Sequence, residues 1–346
     1  MAANFVYTIK ETIQDYFGTE LTGYHLVKQG GNSSVYRLDN ADNGKYALKH
    51  YPPLEVDSRN RLKVEFDSLR FLEVMGETQV PAPIMQLEES NAAVYEWIDG
   101  KAPQTHDSHD IEQALQFLQR LHRLKDQAGA IRLGYASEAC LSYNEVKQQL
   151  ASRWRRLRAA ADSDRALKLF LDERYKPNEQ KIVAYLEKSL LQRAGSFVTA
   201  IAKQKLSLSP SDFGFHNAIK RPDGKWVFVD FEYFGWDDPA KLIADFLWHP
   251  GMKLAGELKQ QFVNGALQVY CDNELTTRLN IVYPLCGLRW CLILLNEFLP
   301  DGRAKRRHSG KMTENHEANL LAKQLDKAEH TLLRLLETYR QFPYAH

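Results

Sequence analysis

Between residues 22 and 98 the apolar positions fall in short runs at a spacing of two: TGYHLVKQ, VYRLDN, KYALKHY, PAPIMQLEES and NAAVYEWI. Runs of that period, bounded by Gly, Asn and Asp, predict the strands of a small antiparallel sheet. One segment departs from it, because Leu62, Phe66, Leu69 and Leu72 recur at helical spacing and predict a helix over about 58–75. Past Gly100 helical spacing dominates, at about 107–127, 142–173, 176–203, 254–270, 273–298 and 313–340. The expectation is an α+β chain with a sheet domain with one major helix at 1–98 and a larger, mostly helical domain at 99–346.

The helical half contains one exception, SDFGFHNAIKRPDGKWVFVDFEYFGW at 211–236. Asp223-Gly224 between two β-type runs predicts a hairpin with those two residues as its loop, which sets Asn217 opposite Asp230. A directly opposed pair carries its side chains about 5 Å apart on one face, so an amide oxygen and a carboxylate would project together. Magnesium takes oxygen ligands and keeps several waters, so Asn217 and Asp230 are the candidate metal ligands. Asp212, five residues before Asn217, suits a base that accepts the proton of an incoming hydroxyl. The Asp-Phe-Gly at 212–214 then imitates a metal motif, and the metal aspartate is Asp230.

Composition narrows the partners. Lys plus Arg number 45 against 44 Asp plus Glu, which leaves no global field to gather nucleic acid or an anionic membrane. The run RAKRRH at 303–308 reads as a solvated loop. Cys140, Cys271, Cys286 and Cys291 form no CxxC pair, which predicts reduced core thiols rather than a zinc site or a disulfide framework. The first residues lack a basic segment followed by an apolar one, and LCGLRWCLILLNEFL is broken by Arg289 and short for a bilayer span. The expectation is a cytoplasmic protein without nucleic-acid or membrane partners. No GxxxxGK[ST] occurs, so a Walker-type nucleotide site is not the route.

The order of these motifs resembles the aminoglycoside phosphotransferase and choline kinase family, relatives of the protein kinases. That family's loop reads His-Gly-Asp with Asn five positions after the Asp; here it reads Pro210-Ser211-Asp212-Phe213-Gly214-Phe215-His216-Asn217. The resemblance implies a two-lobed protein-kinase-like fold, with Asp212 as catalytic base, Asn217 as a magnesium ligand and Asp230 as the main one. It implies that Gly30, Gly31, Asn32, Ser33 and Ser34 turn over the nucleotide phosphates, where glycines admit backbone N–H groups to anionic oxygens. Lys49 would contact the α- and β-phosphates with Glu65 as its helix partner. Backbone groups near Glu96, Trp97 and Ile98 would hold adenine. Asp238 is expected to cap a helix that Pro239 opens, and Asp245 to buttress the loop.

The implied reaction is ATP- and Mg-dependent transfer of phosphate to a hydroxyl of a small molecule, with a sugar-type acceptor favoured and an aminoglycoside or choline-like amine as the alternative. Candidate acceptor liners are Trp236, Asp237, Trp248, His249, Arg289, Trp290 and Glu297. Pro210 and Ser211 stand where the family has His and Gly, so the loop's support must differ, and a nucleotide-binding scaffold without transfer is the rival reading. A protein kinase is disfavoured, because only about eight residues separate Asp230 from the next helix and leave no room for an activation loop.

Overall fold

The computed structural model describes residues 2–29, 33–55, 57–189, 195–299 and 314–344. Contacts divide the chain into two compact units, residues 1–102 with 217–234, and 103–216 with 235–346. This differs from a cut at 98/99 in grouping the hairpin with the sheet. Phe228 donates its N–H to the Gln79 carbonyl, the Gln79 amide donates to the Trp226 carbonyl, and Lys101 and Lys220 exchange backbone bonds.

In the first unit, β1 (Leu21–Gln29), β2 (Ser34–Asn40), β3 (Lys45–His50), β4 (Pro83–Leu87) and β5 (Ala92–Glu96) form one antiparallel sheet in the order β1-β2-β3-β5-β4. Period-two alternation gives it two different faces. Tyr36, Leu38, Leu48 and Val94 point to one side and pack with Val6, Ile9 and Ile13 of α1 (Ala2–Phe17). This helix was not among the expected elements, although Val6, Ile9 and Ile13 recur at helical spacing; each buried side chain contributes roughly 1.5–3 kcal/mol. Lys49 lies on the opposite face, flanked in register by Val35 and Ala93. α2 (Arg61–Val74) buries Leu62, Phe66, Leu69 and Leu72, and Asn60 caps it by accepting the Lys63 N–H.

The hairpin β7 (Ala218–Lys220) and β8 (Trp226–Phe228) belongs to this unit, and its register differs by one from the expected pairing. Lys220 faces Trp226 and Ala218 faces Phe228, and Val229 donates its N–H to the Asn217 carbonyl, so Asn217 lies opposite Val229, not Asp230. The loop holds three residues. Gly224 N–H bonds to the Arg221 carbonyl and Arg221 N–H to the Lys225 carbonyl, and only Gly224 (φ +84°), not Asp223, is left-handed. A two-residue loop of the Asp-Gly kind needs positive φ at both positions; Pro222 instead starts a type I turn that glycine closes.

In the second unit, β6 (Ser207–Ser209) pairs with β9 (Gly235–Asp237) beside α3 (Ser108–Leu124). The other helices are α4 (Tyr143–Ala160), α5 (Arg165–Leu169), α6 (Lys176–Ser189), α7 (Pro239–Trp248), α8 (Gly256–Tyr270), α9 (Leu275–Ile293) and α10 (Glu314–Thr338). A π-helical turn at Phe170–Tyr175 joins α5 to α6. As expected, Asp238 caps α7 through the Ala240 N–H, with Pro239 at the first position. The apolar stretch Leu275–Phe298 is 78% buried, so packing accounts for it. Cys140, Cys286 and Cys291 are buried thiols and Cys271 is exposed. Gly30, Gly31, Asn32 and the RAKRRH run at 303–308 lie outside the described residues.

Candidate active site

In the first unit Lys49 and Glu65 meet as expected, with Lys49 Nζ 2.7 Å from Glu65 Oε2 and both side chains buried. Lys49 Nζ also lies 2.5 Å from Asp230 Oδ1 and 3.5 Å from Glu232. The Tyr51 hydroxyl donates to Glu65 at 2.8 Å and the Phe231 N–H donates to its other oxygen at 3.2 Å. Arg61 bonds Glu232, Asp57 and the Tyr233 hydroxyl, and Asp57 is also held by Arg59. Asp57 thus sits well below the usual carboxylate range, because bonds from Arg59 and Arg61 outweigh the opposing effect of burial.

Asp230 reaches this cluster by an unusual backbone. A regular strand with Asn217 opposite Val229 would turn residue 230 to the other face, but Asp230 is left-handed, φ +72°, and leaves the ladder there. That conformation costs a non-glycine residue roughly 1–2 kcal/mol. The Lys49 ion pair holds it in place.

Four carboxylates, Asp57, Glu65, Asp230 and Glu232, face three cations, Lys49, Arg59 and Arg61, which leaves one negative charge in excess when all four are ionised. Asp230 is the most exposed of the four, at 28%. Burial opposes the charge of Lys49, but Asp230, Glu65 and Glu232 outweigh it and hold its pKa well above the ordinary value. Burial pushes Glu65 up to about 7, with Asp230 and Glu232 adding and Lys49 opposing. Oxygens of Glu65, Asp230 and Glu232 lie within 4.8 Å of one another; Asn217, opposite Val229 in the hairpin, is buried. An all-oxygen set with surplus negative charge and one half-buried carboxylate fits a hard divalent cation.

The other sites expected on the sheet are separate from this cluster. Ser34 opens β2 opposite Gln29 and His50, with Ser33 just before it. Glu96 ends β5 and accepts the Ala82 N–H and an Arg221 guanidinium N–H. The Trp97 indole donates to Asp99, and Ile98 is buried.

In the second unit the loop after β6 carries Asp212. Phe213 anchors it, buried and stacked on Phe117 at 5.9 Å and Phe246 at 6.0 Å. Gly214 is required because a Cβ there would meet Met252 Sδ at 2.5 Å. The Asp-Phe-Gly segment is therefore a packing device around Asp212. His216 Nε2 lies 2.9 Å from Asp212 Oδ1 and His249 Nε2 at 3.8 Å, with the two rings stacked at 3.5 Å. Facing a carboxylate, His216 Nε2 carries the proton. His249 Nδ1 accepts the Gly251 N–H, which places its proton on Nε2. Burial pushes the His249 pKa down to about 4, with His216 adding and Asp212 opposing. The three residues have the composition of a metal triad, but near-parallel rings with protonated Nε2 atoms present no converging lone pairs.

Most candidate acceptor liners are core. Trp236 and Trp248 are buried and donate to the Ala130 and Tyr283 carbonyls. Asp237 is fully buried against Lys241, and Arg289 is paired with Asp245 at 2.7 Å. Trp290 donates to Asp245 and meets the His249 ring edge-on. Glu297 lies in the turn Asn296–Phe298 that follows α9. Sequence reasoning missed Glu232, Arg61, Tyr51 and His216. For Glu232 and His216 a signal existed, adjacency to the aspartate and asparagine already singled out.

The chain is similar to choline kinase LicA from Streptococcus pneumoniae (15% identity, 94% of this chain and 99% of that one, TM-score 0.58) and to a spectinomycin phosphotransferase crystallised with ADP and spectinomycin (13%, 94% and 98%, 0.63). It is also similar to choline kinase from Cryptosporidium parvum Iowa II (12%, 99% and 100%, 0.57). These likenesses define a protein-kinase-like fold. The family model described as "Phosphotransferase enzyme family" matches residues 25–278, and the chain belongs to that family. No curated protein matches the chain significantly by sequence. The protein is a small-molecule kinase, a phosphotransferase with an alcohol group as acceptor.

Proposed function

We propose that the protein transfers the γ-phosphate of ATP to a hydroxyl of a neutral, sugar-type small molecule, with magnesium held by Asp230 and Asn217. The observation that carries this reading is the Lys49–Glu65–Asp230 cluster, with its surplus negative charge and one half-buried carboxylate. Lys49, fixed by Glu65, is preorganised to bind the α- and β-phosphates, and Glu232 with Arg61 holds the segment after Asp230. Backbone groups at 96–98 hold the base. Magnesium, when bound, neutralises the β- and γ-phosphate oxygens. Asp212 accepts the acceptor's proton on one carboxylate oxygen while the other, held by His216 N–H, fixes the carboxylate plane.

Charge pairing at two acidic groups supports a neutral acceptor. Asp245, next to Trp290, is occupied by Arg289 and Lys241, and Glu138 by Arg153, so neither acidic group stands ready for an ammonium. The second reading, an amine acceptor, is favoured by the choline and spectinomycin enzymes among the similar structures. ADP formation against a panel of sugars, nucleosides, aminoglycosides and choline-like amines, with Asp212→Ala as blank, separates the two. A sugar hit that vanishes in the blank supports the proposal, and a hit confined to amines overturns its acceptor class.

A further inference from the structure

The residue before Asp212 is built in a way that loop formation alone does not explain. Ser211 is left-handed, φ +66°, and the Asp212 N–H reaches back to the Pro210 carbonyl at 2.9 Å. A bond from residue i+2 to residue i across a positive φ is a γ-turn of the rarer, strained hand. Glycine would adopt it freely, so a serine here needs a compensating contact. Its hydroxyl supplies one, accepting from Lys241 Nζ at 2.9 Å, while its N–H donates to Ser209 Oγ at 3.0 Å.

Lys241 is as unusual as Ser211. It is 2% exposed and sits in the first turn of α7, where the helix dipole disfavours a cation. Its ammonium has three oxygens within 3.2 Å, donating a hydrogen bond to Ser211 and forming ion pairs with Asp237 and Asp245. Asp237 is fixed by the Cys140 and Asp238 N–H groups, and Asp245 by Arg289 and the Trp290 indole. The lysine is therefore held between two carboxylates and donates its hydrogen bond to the loop.

We infer that Lys241, acting through the Ser211 hydroxyl, is the positioning residue for Asp212, the device that supports the loop where Pro210 supplies no side-chain donor. This rests on the reading of Asp212 as the base. A buried ammonium gripping a hydroxyl holds the γ-turn in its strained form, and the turn fixes where the Asp212 carboxylate projects. Small displacements of a catalytic group lower rates steeply.

The test is Ser211→Ala, which removes the hydroxyl without adding glycine's freedom, with Ser211→Gly and Lys241→Met alongside. Hydrogen exchange at the Asp212 amide needs no acceptor and is expected to quicken about 10-fold in all three, with no change in Asp212→Ala. Turnover of Mg-ATP with the panel above is expected to fall about 10- to 100-fold in kcat, with KM for ATP unchanged. The double variant Ser211→Ala/Lys241→Met should be no worse than the poorer single one, and if Lys241→Met fails to fold, Ser211→Ala decides alone. Wild-type exchange and kcat in Ser211→Ala, with Asp212→Ala inactive, overturn the tie and leave the base reading standing. Full turnover in Asp212→Ala overturns both.

Discussion

Two buried lysines, each surrounded by carboxylates, invite comparison. Lys49 in the sheet unit meets Glu65, Asp230 and Glu232; Lys241 in the helical unit meets Asp237 and Asp245. Around Lys241 the charges close, since Lys241 and Arg289 balance Asp237 and Asp245 and all four are largely withdrawn from solvent. Around Lys49 four carboxylates exceed three cations, and Asp230 remains partly open. The same side-chain types thus serve two ends. A closed, neutral cluster holds structure, and a cluster left with surplus charge and one open member is prepared for a ligand.

The sharpest way to break that contrast is to remove each lysine. Lys241→Met leaves the fully buried Asp237 without its cation while Asp245 keeps Arg289, and a loss of about 3–5 kcal/mol in urea unfolding is expected. Lys49→Met is expected to cost transfer instead, about 100-fold or more in kcat/KM for ATP by ADP assay, with the smaller stability loss of the two. Equal stability losses with equal residual activity would erase the distinction.

A pH measurement sharpens it from the other side. His249 titrates near 4 in the fold, against an ordinary histidine value of 6.5. Below pH 6.5 the unfolded chain binds a proton that the folded chain refuses, so this contribution is complete above 6.5 and is lost as pH falls toward 4. The total is at most about 3 kcal/mol, and His249→Phe should remove it from the pH dependence of urea midpoints. The smallest effect is in the hairpin that carries Asp230. Gly224→Ala, at φ +84°, should cost about 1 kcal/mol by thermal unfolding with the nucleotide site intact.

The strands, α2, most later helices and the Asp238 cap were legible because each rests on local periodicity or a local capping bond. The hairpin register was not, since Pro222-Asp223-Gly224 admits two turns and the choice depends on whether Asp223 takes positive φ. Asp230 was singled out by the hairpin, and Lys49 and Glu65 by the family resemblance. Their surplus charge was not legible, because it depends on Arg61 and Glu232, 171 residues apart, meeting in the core. The Ser211–Lys241 contact was hidden for the same reason, although the missing His and Gly at 210–211 marked where the loop must find other support.

The central claim assigns Asp230 to the metal-bound nucleotide and Asp212 to the acceptor's proton. Calorimetric binding of ATP with and without Mg²⁺, beside ADP formation, in Asp230→Ala and Asp212→Ala tests it directly. Asp230→Ala should lose the magnesium-dependent part of binding and all transfer, while Asp212→Ala should bind Mg-ATP like the wild type and transfer nothing. Equal loss of binding in the two variants would contradict the assignment.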